Sequence, residues 1–304
     1  MEKEIDLQLG HIISSEKDRY LVCLDTEGAD LSTAKTVSCQ GRGVFRDKSI
    51  TPTVGDRVEI RIEGDEGVIV RVLERRNLLF RPPVANIDLV LVVQTIVEPE
   101  INPLSLDKLL AVIEKRRLPI IICFNKIDRV GGLILNEWLD RYQSAGYPVF
   151  HINALTGEGI DRLMDELRGK ITAIAGPSGA GKSTLIRRLS GDSGVEVGEL
   201  SQKTARGKQT TRRIRLFDIG QASYIFDTPG FSSLDLRDFN AGTDLVSCFP
   251  DIQKYARDCR FRNCSHRKEP GCRVRESVER GEIDPLRYKN YLTLFEEVEA
   301  NRPY

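Results

Sequence analysis

The residues Gly176, Pro177, Ser178, Gly179, Ala180, Gly181, Lys182 and Ser183 complete the pattern G-x-x-x-x-G-K-S. Glycines at these spacings let the backbone curl until successive N–H groups point at phosphate oxygens, and a helix starting near Lys182 adds the positive potential of its N-terminus. Lys182 is then placed to reach the β and γ phosphates of a nucleotide, and the hydroxyl of Ser183, followed by Thr184, to ligate Mg2+. A second string, "YIFDTPG", carries Asp227, which can hold the magnesium through water, and Gly230, whose N–H can sense a γ-phosphate. Between the two, "GKQTTRR" offers Thr210 and Thr211. One of them can close on the metal when γ-phosphate is present, and Thr211 is favoured; on its own, a Thr pair in a basic loop reads as a solvated turn.

Asn125, Lys126 and Asp128 in "CFNKID" form a base reader. A carboxylate that accepts from both the N1–H and the exocyclic amine of guanine rejects adenine, which would leave it unpaired in a partly buried slot. The backbone N–H of Ala154 in "NALTG" can meet the guanine O6. An ordinary GTPase begins with its phosphate loop; here the base reader and the Ala154 element come first, and the phosphate loop, the Thr pair and D-x-x-G follow. Such a site is assembled from the ends of parallel strands, so joining the old termini and cutting elsewhere preserves it. The sequence therefore predicts a circularly permuted GTP site. The cut falls just after the γ-phosphate sensor, which gives a covalent route from nucleotide state to the segment that follows. The rival reading is a metabolic kinase with a metal-bearing lid, and ATP against GTP binding separates the two.

Cys259-x4-Cys264-x-His266-x5-Cys272 supplies three thiolates and an imidazole, the complement of a closed tetrahedral Zn2+ site. The surroundings are rich in Arg and poor in apolar residues, so a metal would be the main constraint on folding there. The other cysteines, Cys23, Cys39, Cys123 and Cys248, read as small core residues.

These residues need elements to position them. Residues 1–76 read as β structure: Val54, Val58, Ile60 and Ile62 share one parity, "EGDEG" turns, and Val68, Val70 and Val72 resume the alternation. Five short strands in so small a segment predict a closed barrel such as an OB-fold, used either as a nucleic-acid platform or simply for packing. Residues 77–243 alternate strand and helix, with "DLVLVVQ", "PIIICF" and "ITAIAG" as buried strands, which predicts a doubly wound parallel sheet. Leu106, Leu109, Leu110 and Ile113 step along one helical face behind Ser105 as N-cap. Residues 244–304 form a small α-helical, zinc-binding segment that ends in a helix marked by Tyr288, Leu292 and Phe295.

Lys plus Arg and Asp plus Glu each number 45, so net charge alone predicts no polyanionic partner. Lys203 to Arg215 holds six basic residues and no acidic one, and Lys254 to Arg280 holds nine basic against four acidic; such runs ordinarily form solvated faces, and two of them flanking a switch tilt the balance towards nucleic acid. No apolar run approaches the about 18 residues that would cross a bilayer. The acidic "MEKEIDLQLG" lacks the pattern of a signal peptide, so a cytoplasmic location is expected.

The combination of "VGDRVEI", "NKID", "GPSGAGKS", "GKQTT", "DTPGF" and the C-x4-C-x-H-x5-C cluster resembles the RsgA (YjeQ) family of bacterial small-ribosomal-subunit-dependent GTPases over nearly the whole chain. The resemblance implies an OB-fold, a permuted GTPase and a zinc domain acting together on the maturing 30S subunit and its 16S rRNA, and a monomer is expected. It also implies GTP/GDP, Mg2+ and one Zn2+ as ligands, with hydrolysis stimulated by the subunit and coupled to release. A GTP-dependent RNA-binding switch with incidental hydrolysis is the alternative. Two departures stand out. The family places His before its Thr pair, a candidate for positioning the attacking water, where this chain has Gln209; and the family's base-binding Ser-Ala is here Asn153-Ala154.

Overall fold

The computed structural model describes residues 7–16, 18–25, 35–41, 50–80, 83–191, 196–197, 215–227, 236–237, 239–240 and 244–301. Strands β1 (Leu7–Glu16), β2 (Arg19–Leu24), β3 (Thr36–Gly41), β4 (Arg57–Glu63) and β5 (Glu66–Val72) close into a barrel in the order β1-β2-β3-β5-β4. The hairpin β6 (Leu78–Phe80) and β7 (Pro83–Ala85) follows. Strands β8 (Leu89–Gln94), β9 (Ile120–Asn125), β10 (Val149–Ile152), β11 (Ile171–Ala175), β12 (Glu196–Val197), β13 (Arg215–Asp218) and β14 (Tyr224–Asp227) make a seven-stranded sheet, in the order β10-β9-β8-β11-β14-β13-β12. The α-helices are α1 (Pro103–Glu114), α2 (Gly132–Ser144), α3 (Ile160–Leu167), α4 (Lys182–Ser190), α5 (Asp244–Ser247), α6 (Pro250–Ala256), α7 (Arg273–Glu279) and α8 (Pro285–Ala300). Among the described residues no helix is long and apolar enough to cross a membrane.

The chain divides into two compact units. The first comprises Met1–Asp88, Arg162–Ile174 and Ser183–Gly230. Its barrel is antiparallel except where β3 runs parallel to β5, the order expected of an OB-fold. Val58 and Ile60 point inward as the alternation predicts, but on β5 the inward residues are Gly67 and Ile69, not Val68, Val70 and Val72. The reason is local: Ile60 pairs with Ile69 beside a register shift, and a side chain at Gly67 would run into the Cys39 Sγ. Asp56 of "VGDRV" is fully buried and accepts from Arg75 Nε and Nη2, both at 2.7 Å, and from the Thr53 N–H, which pins the end of the barrel. In the same unit β11 lies parallel to β14, whereas β13 and β12 join antiparallel. The sheet is therefore mixed, with an antiparallel edge on the parallel order predicted from the sequence.

The second unit comprises Leu89–Asp161, Ala175–Lys182 and Phe231–Tyr304. Every residue of β8 and β9 is buried, which is why both read as unbroken apolar runs, and β8, β9 and β10 are parallel. Helix α1 buries Leu106, Leu109, Leu110 and Ile113 as its periodicity predicts. Its N-cap is Asn102, not Ser105: the Asn102 side chain accepts from the Ser105 N–H, and Pro103 takes the first helical position, where no donor is needed. Ala111 of α1 packs in one core with Phe249, Ile252, Val274, Leu294 and Val298 of the C-terminal helices. Helix α8 packs Phe295 into that core, with Tyr288 and Leu292 partly buried against it as the sequence pattern predicts. It buries Arg287, Asn290, Tyr291, Leu294, Phe295 and Val298, because two of its polar residues find partners inside.

Candidate functional site

Strand β9 ends by carrying Asn125 into the interior, where it is 3% exposed. Lys126 adopts a left-handed φ of 62°, which turns the chain into a short 3-10 helix, Ile127–Arg129, with Asp128 exposed on it. Asn125 then works as a bracket. Its Nδ2 donates to the Ala180 carbonyl of the glycine-rich loop at 2.9 Å, and its Oδ1 accepts the Ala154 N–H at 3.0 Å. Base reader, phosphate loop and Ala154 element thus meet within the second unit, despite their separation along the chain.

The loop has the shape that phosphate binding requires. Gly176, Gly179 and Gly181 take φ values of 133°, 82° and 88°, a region that disfavours other residues. A Cβ at Gly181 would collide with Asn125 Nδ2, and one at Gly176 with the Val93 carbonyl. Pro177, Ser178 and Gly179 are exposed at the rim, while Ala180 is fully buried. Lys182 Nζ donates to the carbonyls of Gly176 at 2.9 Å and Pro177 at 2.7 Å, closing the loop. Ser183 and Thr184 stand in the first turn of α4, where the N–H groups of a helix start and two hydroxyls suit a phosphate and its Mg2+. Asp227 ends β14, but its side chain lies outside the described residues, as do Gln209, Thr210, Thr211, Gly230 and Phe231.

Asn153 does more than the sequence suggests. Its Nδ2 donates to Asp128 Oδ1 at 2.9 Å while its Oδ1 accepts the N–H groups of Leu155 and Thr156. The Ala154 N–H, expected at the guanine O6, is given to Asn125 in this structure.

The cysteine cluster assembles as its spacing predicts. One ligand atom from each of Cys259, Cys264, His266 and Cys272 lies within 4.8 Å of all the others. His266 Nδ1 is 3.5 Å from the sulfurs of both Cys259 and Cys272. Tetrahedral zinc with its usual bond lengths requires an S···N edge of about 3.6 Å, so these residues fit the ion. Burial pushes the Cys264 thiol up to about 12 and lowers His266, so the pocket disfavours bare thiolates and favours the neutral imidazole that a metal uses. Around the ligands, Glu269 accepts from the N–H and hydroxyl of Ser265 and from the N–H groups of Arg267 and Lys268. Burial opposes the charge on Glu269, yet these bonds outweigh it and hold its carboxyl at about 2. Tyr288 and Tyr291 donate their hydroxyls to the carbonyls of His266 and Ser265.

The metal-bearing segment is joined to the base-reading unit by a contact that motif reading missed. Arg287 of α8, 1% exposed, donates through Nε and Nη2 to Asp251 of α6 at 2.7 and 2.9 Å, and through Nη1 to Asp107 of α1 at 2.5 Å. Asn290 donates to the second oxygen of Asp107 at 2.7 Å. A signal existed: Arg287 and Asn290 fall at helical spacing with Tyr291 and Leu294, on what should be an apolar face.

Comparison with known proteins agrees with this geometry. Residues 72–237 match the family model described as RsgA GTPase, and residues 29–69 match the RsgA N-terminal domain. The "Small ribosomal subunit biogenesis GTPase RsgA" of Clostridium beijerinckii is 44% identical over 262 residues, 86% of this chain and 90% of that protein. The protein so described from Agathobacter rectalis is 40% identical over 301 residues, 97% of this chain and 99% of that one. Among solved structures, YloQ, described as a circularly permuted GTPase, superposes with a TM-score of 0.81 at 30% identity, covering 100% of this chain and 99% of that one. YjeQ from Thermotoga maritima gives 0.81 at 34%, covering 98% and 100%. With a glycine-rich loop, the N-K-x-D string placed ahead of it in sequence, and these relatives, the chain belongs to the RsgA family of circularly permuted GTPases.

Proposed function

We propose that this GTPase acts in the biogenesis of the small ribosomal subunit. It binds the 30S particle and its 16S rRNA in the cytoplasm as a monomer, hydrolyses GTP faster when bound there, and leaves upon hydrolysis. The observation that carries the nucleotide half is the Asn125 bracket, which holds the phosphate loop against the element that presents Asp128. The names of the relatives support the ribosomal half. Exposed Arg257, Arg260, Arg262 and Lys268 around the metal ligands also suit a polyanion. Three segments divide the work: residues 1–76 as RNA-binding barrel, 77–243 as GTPase, and 244–304 as a zinc-held contact element.

In this reading the loop amides and Lys182 bind the phosphates, and Ser183, Thr211 and Asp227 hold Mg2+. Gly230 senses the γ-phosphate, and Asp128 reads guanine while Ala154 exchanges its N–H from Asn125 to O6. Gln209 orients the attacking water and does not abstract its proton, because an amide cannot act as a base near neutral pH. Phe231 follows D-x-x-G where Ras-like GTPases carry a water-orienting Gln, so the isolated chain turns over slowly until the ribosome completes the site around Gln209. The test is GTP turnover against added 30S particles. Acceleration is expected; equal rates would reject stimulation. Trapping on the subunit by a non-hydrolysable GTP analogue supports coupling of hydrolysis to release, whereas unhindered departure points to a binding switch with incidental hydrolysis.

A further inference from the structure

We infer that the ion pair between Glu98 and Arg129 is a clasp that slows the release of nucleotide, an inference that rests on the reading of Asn125, Lys126 and Asp128 as the guanine site. Glu98 belongs to the loop of residues 95–101 that follows β8. This loop is closed on itself: the Thr95 hydroxyl donates to the Pro99 carbonyl at 2.7 Å, and the Ile101 N–H to the Ile96 carbonyl at 3.1 Å. One side of it lies against the phosphate loop, where a Cβ on Gly179 would stand 3.3 Å from Pro99 Cδ. Its other side meets the base-reading turn. Lys126 Nζ donates to the Glu98 carbonyl at 2.7 Å, and the Arg129 guanidinium pairs with the Glu98 carboxylate. The two cations flank Asp128 in sequence, and both end on one residue.

That placement matters because a guanine nucleotide must span the phosphate loop and the base reader. Both have to let go before it can leave, and the 95–101 loop touches both. The base-reading turn is a single 3-10 turn, Ile127–Arg129, with none of its residues buried, so no apolar packing fixes its distance from the 95–101 loop. Polar contacts must do so, and Glu98 receives two of them. A turn held against its neighbour before the nucleotide arrives spends less of the binding energy on ordering, and loosening such a hold shows chiefly in the dissociation rate. Glu98 and Arg129 are both exposed, so their pair adds little to the stability of the fold and is weakened by salt. A weak, screened contact of this kind suits the tuning of a rate better than the holding of a core. The backbone bond from Lys126 sets the register of the two loops, and the carboxylate of Glu98 supplies the part that side-chain changes can open.

The experiment follows release of a fluorescent GDP derivative from the full chain in stopped flow, after mixing with excess GDP, at low and at high salt. The chains compared are wild type, Glu98→Gln, Arg129→Gln and a charge-swapped chain that carries Glu98→Arg with Arg129→Glu. Each single variant should release GDP about two- to fivefold faster than wild type at low salt. High salt should speed the wild type and bring it level with the single variants. The swapped chain should recover most of the slow release, which a merely steric role for either side chain would not produce. Single variants that release at the wild-type rate at low salt would overturn the inference, and so would a swapped chain no slower than the singles. Asp128→Asn, tested for its preference between GDP and xanthosine diphosphate, separates this outcome from a failure of the guanine reading. If that variant loses its preference for GDP while the clasp variants release like wild type, the clasp alone is wrong. If it keeps the preference, the guanine reading is wrong and the clasp falls with it.

Discussion

Removing one cation, Arg287, should loosen the metal-bearing segment from the rest of the second unit. Arg287→Met keeps most of the volume and removes three hydrogen bonds at 2.5 to 2.9 Å. Asp251 then loses the two bonds Arg287 gives it, while Asp107 loses its cation and retains the amide of Asn290. Breaking a buried pair by removing one partner costs about 3–5 kcal/mol, because an uncompensated charge is left inside. That is about two to three and a half decades in the unfolding equilibrium constant. Burial pushes the Asp107 carboxyl up to about 6, against the pull of the Arg287 guanidinium and the Asn290 amide. The folded value lies above the ordinary 3.8, so the protonated form contributes stability that is fully present below about pH 4 and lost as pH rises through about 6. Without Arg287 that loss extends to higher pH, so the penalty should grow by about 1–3 kcal/mol between pH 6 and pH 8. Urea unfolding followed by the fluorescence of Trp138, the one tryptophan, reads this region directly. Its ring stacks on Tyr142 at 6.5 Å, and the Arg287 guanidinium lies 5.4 Å from the Tyr142 ring centre. Adding Asp107→Asn and Asp251→Asn to Arg287→Met should restore at least half of the stability. A penalty below about 1 kcal/mol, or one that is the same at both pH values and is not relieved by the added changes, would refute the reasoning.

Three further outcomes follow from the same structure. Gly181→Ala puts a methyl group against Asn125 Nδ2 at a φ of 88°, so nucleotide affinity should fall by about tenfold or more and urea unfolding of the ligand-free chain should show a loss of about 1–3 kcal/mol. Lys182→Ala should abolish GTP turnover, measured as phosphate release; undiminished turnover would remove Lys182 from its assigned role. The purified chain should hold one zinc, lost on Cys264→Ser, and Glu269→Gln should weaken its retention against a competing chelator by about tenfold, since that carboxylate shapes the ligand loop through four bonds.

How much of this was legible from sequence depended on whether a residue acts through its type or through its neighbours. The turn of the glycine-rich loop and the convergence of Cys259, Cys264, His266 and Cys272 were readable because each needs particular residues at fixed spacing, and backbone geometry supplies the rest. The permutation was readable for a related reason: order along the chain can be compared with the order a parallel sheet tolerates. Asn102 and Ser105 are both good capping residues within one turn, and Pro103 decides between them only when its missing N–H is counted. Ile69 was hidden by the neighbouring valines, since the register shift between Glu59 and Ile60 changes which parity faces inward and leaves no mark in composition. Arg287 and Asn153 are the deeper cases. Each is a polar residue that is costly to bury alone and becomes favourable only through partners far away in sequence: Asp107 lies 180 positions from Arg287, and Asp128 lies 25 from Asn153. The same distance gives both residues their use, because a buried polar group with partners on separate elements fixes how those elements stand to each other. In this chain one such group holds the base reader to its loop and the other holds the metal segment to helix α1. A displacement of the C-terminal helices relative to α1 must therefore break Arg287 from Asp107 or carry α1 with it.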